Sequence, residues 1–361
     1  MTNFKVFTLN DVREWNEYLK KLPNGSKDIY FTPDYYLLYE QDGDGVANCF
    51  VFEKDGKIAL YPFLKNSINV LGYQLDNEYY DIQGAYGYNG VISSSYEADF
   101  IKSFYKEFDR FCKDNKIIAE FTRFHPLINN VEFKSNDAMI IFDRNTVGLN
   151  ICQSYENIWE KEYSSKNRNM IRKARKIGLN SVIMHTVSLA EIEKFIDIYM
   201  HTMKMLNADS FYFFSKYYFV KMFDVLQNYI YLMHIKNGKD EVVCSSIFFH
   251  YHDFFHYHLS GRASNADNTV NNYLLDEAIK FAQFKGAKMF HFGGGSTSAT
   301  YDSLLKFKRN FSRSFFDFNI GKRIHNQEVY KNIVKQWEAK NPESYRENYN
   351  KLLGYREIEY E

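Results

Sequence analysis

The stretch NNYLLDEAIKFAQFKGAKMFHFGGG, Asn271–Gly295, sets the fold class. Leu274, Leu275, Ala278, Ile279 and Ala282 fall on one stripe, the spacing of an amphipathic helix. Gly286 ends that helix. Lys288–Phe292 then reads as a buried strand running into Gly293, Gly294 and Gly295. Just upstream, Glu241–His250 and Phe254–Gly261 read as a long hairpin around His252-Asp253. A hairpin followed by a helix and a strand builds a mixed sheet rather than a doubly wound parallel one.

The same alternation appears earlier in the chain. Asn48–Glu53 and Lys57–Phe63 flank Asp55-Gly56, a hairpin signature. Tyr96–Asp114 carries a helical stripe and Ile117–Arg123 reads as a strand. After a strand at Met139–Phe142 the pattern restarts. Glu156–Lys176 reads as one helix stopped by Gly178, and Ser188 is placed to cap the helix Ser188–Leu206. The expected class is therefore α/β (α+β, mixed sheets). Two tandem domains are expected at 1–148 and 149–325, followed by a surface helical tail at 326–361.

Composition narrows the function. Lys plus Arg and Asp plus Glu number 45 each, so the net charge is zero, which argues against a general nucleic-acid binder and against DNA as a partner. The 33 Phe and 30 Tyr are spread along the whole chain, which suits aromatic cores better than one stacking platform. Cys49, Cys112, Cys152 and Cys244 lack metal or redox spacing and read as reduced thiols. Met1–Asn10 has no signal-peptide core, and no run approaches the roughly 18 apolar residues of a membrane span. A cytoplasmic location follows as an expectation, with any membrane contact peripheral.

Several stretches carry chemistry. On a helix, Arg168, Arg172 and Arg175 share one face, a pattern that suits phosphate and equally suits a solvated surface. Gly261–Asn271 joins a strand to a helix, whose first N–H groups suit an anion or a carbonyl oxygen. Gly293–Gly295 suits a close backbone approach, and no Gly-Lys-Ser/Thr ending makes it a phosphate loop. Lys308 is either a cleft lysine or a helix-end cation. A two-residue turn at His252-Asp253 sets Phe249 opposite His256 and Ile247 opposite His258, leaving His250 on the other face. That split, with no nearby Cys or carboxylate partner, argues against a zinc site, so no metal is expected.

Taken in order, Lys166–Gly178, Tyr199–Leu206, Phe211–Phe214, His256–Arg262, Glu277–Gly286, Gly293–Gly295 and Phe307-Lys308 resemble the Fem-type branch of the GNAT superfamily. That branch holds the peptidoglycan-bridge aminoacyltransferases and a set of GNAT-like acyltransferases. Gly84-Ala85-Tyr86-Gly87-Tyr88 looks like the Tyr-Gly loop of the latter set. The resemblance spans roughly residues 30–320.

It implies tandem GNAT-like domains with the donor cleft in the second, and direct attack of an amine on a thioester or an aminoacyl ester. It implies no tightly bound cofactor, with acyl-CoA or aminoacyl-tRNA as cosubstrate and tRNA a partner in the second case. The implied acceptor is a small-molecule, lipid-linked or nucleotide-linked aminosugar of the cell envelope. A peptide-bridge aminoacyltransferase and a non-catalytic binding protein on the same fold are the rival readings. Phe307-Lys308 matches the family's Phe-Lys pair, giving Lys308 the charge at the reacting centre and Phe307 a place at the donor. Arg262, Asn271, Asn272, Gly293 and Gly294 are expected at the donor. Arg168, Arg172, Arg175, Tyr86 and Tyr88 are expected at the acceptor or a phosphate, with His258 as a base. One departure stands: Gly261–Asn272 has a single glycine where GNAT enzymes cradle the coenzyme A pyrophosphate with several.

Overall fold

The computed structural model describes residues 4–358 except 298 and 300, and leaves aside the side chain of residue 211. The chain begins β1 (Phe4–Phe7), α1 (Val12–Lys21), α2 (Pro33–Gln41), β2 (Val46–Lys54), β3 (Lys57–Ser67), β4 (Tyr80–Gln83), β5 (Ile92–Ser93), α3 (Ala98–Asp114) and β6 (Ile117–Arg123). It continues β7 (Met139–Asn150), α4 (Tyr155–Asn157), α5 (Ser165–Lys176), β8 (Asn180–Met184), α6 (Leu189–Met205), α7 (Lys216–Val225), β9 (Ile230–Lys236), β10 (Val242–Tyr251) and β11 (Phe254–Arg262). Then come α8 (Val270–Phe284), β12 (Met289–Gly294), α9 (Ser303–Lys308), β13 (Ser314–Ile324), α10 (Gln327–Lys340) and α11 (Pro342–Asn348).

These elements form two compact units, Met1–Asp143 with Phe318–Glu361, and Arg144–Asp317. The first unit has strand order β1-β2-β3-β4-β6-β13, with β5 beside β3; the second has β7-β12-β11-β10-β9-β8. Both follow one plan. Four antiparallel strands lead to a helix, α3 or α8, and the next strand returns parallel to the fourth. That crossover is what lets two neighbouring strands run the same way. The last strand of each unit is antiparallel, β13 on β6 and β7 on β12. The expected mixed α/β class is what the chain adopts.

The aromatic residues fill cores. In the first unit Phe50, Phe52 and Phe63 of the sheet meet Phe100, Phe104, Phe108 and Phe111 of α3. In the second, the α8 stripe Leu274, Leu275, Ala278, Ile279 and Ala282 packs on Phe248, Phe255 and Phe290.

Two expectations are corrected. The tail is not a surface appendage. Trp337 and Tyr355 are buried with Tyr73, Ile118 and Ala119 of the first unit. Arg356 Nε donates to both oxygens of Asp81 at 3.0 and 2.8 Å, and the Tyr355 hydroxyl donates to the same carboxylate at 2.7 Å. Apolar positions spaced for a solvent-side helix bury here because β6 and the loop before β4 offer an uncovered apolar face. The single helix expected over Glu156–Lys176 is also broken. It runs through α4 and a π-turn at Ile158–Glu162, and Ser164 then starts α5 by accepting from the Asn167 N–H at 3.1 Å.

Asp81 is fully buried, and burial pushes its carboxyl up while Arg356 pulls it down. Arg356→Ala should therefore lower unfolding stability by about 3 kcal/mol, because it leaves a buried carboxylate short of its cation. A urea titration checks this, and an unchanged midpoint would refute the tie.

Candidate functional site

The second unit has an opening built by its parallel pair. β11 and β12 stay in register only from Phe254↔Met289 to His256↔His291. Beyond that point β11 runs on to Arg262 beside β10 and β12 to Gly294 beside β7, without pairing to each other. Each strand is bent there by a bulge. On β11, Ile247 faces Leu259 and Phe248 faces Tyr257, so His258 is the extra residue. On β12, the register against β7 shifts between His291 and Gly293. The sequence expectation that Ile247 faces His258 is thus corrected by one residue, because an inserted residue leaves no trace in a period-two pattern.

Lys308, at the end of α9, reaches this opening. It is buried, and its Nζ donates to Gly294 O at 2.7 Å and lies 5.8 Å from the Tyr257 ring centroid. Burial pulls the amine down to about 7, against the attraction of Asp302. Gly293 has φ +77°, and a Cβ there would sit 3.3 Å from the lysine nitrogen. The glycine gives left-handed backbone without crowding the cation. Gly295 is needed for another reason, since its Cβ would overlap the Asp302 carboxylate.

Asp302 organises the segment and was missed in the sequence, although an Asp three residues before the Leu305 N–H is a helix-cap signal. Its Oδ1 accepts from that N–H at 2.8 Å, and its Oδ2 accepts from Ser296 Oγ at 2.7 Å and from the Thr297 N–H at 2.9 Å. Burial pushes this carboxyl up, but those bonds outweigh it and hold it at about 2. Phe307 is half-buried and packs on Phe311 at 5.6 Å.

The other expected donor residues are occupied. Arg262 is exposed at the end of β11, its N–H bonded to Thr202 Oγ1 at 2.8 Å. Gly261 is a packing glycine: its Cβ would press on Ile198 O and Tyr199 Cα of α6 at 2.7 Å. Asn271 Oδ1 accepts from Cys244 Sγ at 3.2 Å, and Asn272 Nδ2 donates to Asn167 Oδ1 at 2.7 Å. Ahead of α8, Asp267 accepts from the Thr269 N–H and pairs with Lys173. A carboxylate therefore sits where an anion was expected.

The arginine face is knitted into its own unit. Arg168 Nη1 caps Trp159 O and Tyr163 O at 3.2 and 2.6 Å. Arg172 and Arg175 both stand 5.3 Å from the Trp159 ring, and Arg175 Nη2 pairs with buried Asp276 at 2.8 Å. These contacts favour a structural face over a phosphate site.

Burial, with the charge of His256 second, lowers His258 to about 3. A group that stays neutral down to that value is a weak base at neutral pH. Ser245, His234 and Glu191 form a bonded row at 2.7 and 3.0 Å, but Ser245 is fully buried and offers no nucleophile.

Tyr86 and Tyr88 belong to the first unit, on the loop after β4. The Tyr88 ring lies 5.1 Å from Tyr30 and 5.0 Å from His125, and Tyr86 O accepts from the Tyr35 hydroxyl at 2.6 Å.

Residues 164–338 match the family model of the acetyltransferase (GNAT) domain. No curated protein matches the chain. Among solved structures the chain is similar to FemX, at 13% identity and a TM-score of 0.69, over 91% of this chain and 99% of that one. It is similar to L-PGS from Bacillus licheniformis, at 13% identity and a TM-score of 0.57, over 90% and 95%. It is also similar to a tandem GNAT protein from the clavulanic acid biosynthesis pathway, at 6% identity and a TM-score of 0.50, over 90% and 98%.

Asp302→Ala should uncap α9 and release the glycine segment, lowering stability by about 2 kcal/mol. Thermal unfolding and faster proteolytic cutting near Ser296 check this; an unaltered cutting pattern would count against it.

Proposed function

We propose that this chain, whose residues 164–338 match the acetyltransferase (GNAT) domain, is an N-acyltransferase of tandem fold whose second unit moves an acyl group onto an amine of a cell-envelope or aminosugar precursor. One observation carries the reading: the desolvated Lys308 amine, held on Gly294 O with no carboxylate bonded to it among the described residues, in the opening between β11 and β12.

In this reading the acceptor nitrogen attacks the donor carbonyl, a C–N bond forms, and the C–S bond of a thioester or the C–O bond of an aminoacyl ester breaks. The Lys308 ammonium faces the charge that develops and supplies a proton to the leaving group, while the attacking amine gives its own proton to solvent. A cation kept out of water is worth more at such a centre than a solvated one. Phe307, Gly293 and Gly294 are assigned to the donor.

The start of α8 bears on the donor. Asp267 and its partners take the place of a pyrophosphate cradle, which favours an aminoacyl ester over acyl-CoA held in the usual GNAT manner. Overall likeness to FemX is compatible with this peptide-bridge variant of the reading.

The test offers acetyl-CoA or charged tRNA with nucleotide-linked and lipid-linked aminosugars, and follows amide formation. Lys308→Ala should lower turnover by about a hundredfold or more. Because protonated Lys308 is the working form, the wild-type rate should fall as pH rises through about 7. Lys308→Arg, whose guanidinium stays charged but gives no proton to the leaving group, should turn over more slowly and lose that descending limb. Equal turnover in wild type and Lys308→Ala would remove Lys308 from the mechanism.

A further inference from the structure

The two units treat the same junction differently. In the first, β4 and β6 pair from Tyr80↔Ile117 to Gln83↔Phe121, and Asn89 bridges to Phe124 farther on. The loop Gly84–Tyr88 bulges out between these points, and Arg123 of β6 lies under it. Arg123 Nη2 donates to Gly84 O and Ala85 O, both at 2.9 Å. Its backbone N–H donates to Asn89 Oδ1 at 2.7 Å, which fixes the orientation of that amide.

What is left over is an excess of donors. Among the described residues, Arg123 Nε and Asn89 Nδ2 are buried with no hydrogen-bond partner, Asn89 is fully buried, and Arg123 makes no ion pair. Asp44, on the exposed turn after α2, feels its charge without bonding to it. The other close groups are the Phe121 ring, 5.7 Å away, and the hydroxyls of Tyr35, Tyr36, Tyr39 and Tyr86. Among the described residues nothing is hydrogen-bonded to Nη1, and the residue as a whole is half-buried. Buried donors are nearly always satisfied, and a part-buried guanidinium is normally paired with a carboxylate. A cation with spare donors, an open edge and tyrosines around it is instead matched to an acid that comes from outside.

We propose that Arg123 and Asn89 form a binding site in the first unit for a compact oxyanion, a carboxylate or a phosphate. The binding does not rest on the acyltransferase reading. Oxyanion contact at Nη1 neutralises the guanidinium.

The test uses the full chain and simple probes. Unfolding temperature and calorimetric binding are measured with inorganic phosphate and, separately, with acetate, against sodium chloride at equal ionic strength. Saturable binding is expected, at least about tenfold weaker in Arg123→Gln. Preference for phosphate or for acetate tells which oxyanion the site takes. Should Arg123→Gln fail to fold, Asn89→Asp carries the comparison. It keeps the acceptor for the Arg123 N–H and places a negative charge beside the guanidinium, so probe binding should be lost without loss of stability. Absence of saturable binding in the wild type, or undiminished binding in the folded variants, overturns the proposal. A chain that binds the probe but transfers no acyl group would keep this site and discard the acyltransferase reading.

Discussion

β11 and β12 hold each other only as far as His256 and His291, and the candidate chemistry of the second unit follows from that. Parallel strands that stop pairing leave backbone groups and a gap that some other group must occupy. Here the occupant is the Lys308 amine, seated on Gly294 O beside Tyr257. A bulge at His258 on one side and the shift before Gly293 on the other keep the strands from closing again.

Holding a cation in that gap is costly, and the neighbourhood offsets the cost without cancelling the charge. Asp302 attracts Lys308, but its carboxylate is already bonded to Ser296, Thr297 and Leu305. The lysine therefore has a distant counter-charge and a near carbonyl. Its amine sits at about 7, where small changes in the site change its protonation.

The first unit repeats the strand plan and closes the same place. The bridge Asn89↔Phe124 and the Arg123 guanidinium beneath Gly84 and Ala85 occupy what is open in the second unit. One plan thus yields a buried lysine at a gap in one copy and a carboxylate-free arginine under a loop in the other. The difference lies in a few side chains at the end of two strands, not in the architecture.

The fold was legible in the sequence where local pattern decides it. The hairpin at Asp55-Gly56, the α8 stripe and the strand ending in Gly293–Gly295 all form as read, because turn residues and apolar period act within a few residues. Lys308 was singled out by its resemblance to a family pair. Spacing along a helix gave Arg168, Arg172 and Arg175 one face, yet it does not tell whether Trp159 and Asp276 come to meet that face. Nor does it show that Asn271 and Asn272 turn inward, or that Trp337 and Tyr355 cover the first unit. Residues near in sequence fix turns and periods; long-range packing decides which charges stay paired, which go dry and which remain open to a ligand. Arg123 belongs to that second class, since Gly84, Ala85 and Asn89 reach it from a separate segment, whereas Asp302 finds its partners within six residues and its cap could be read locally.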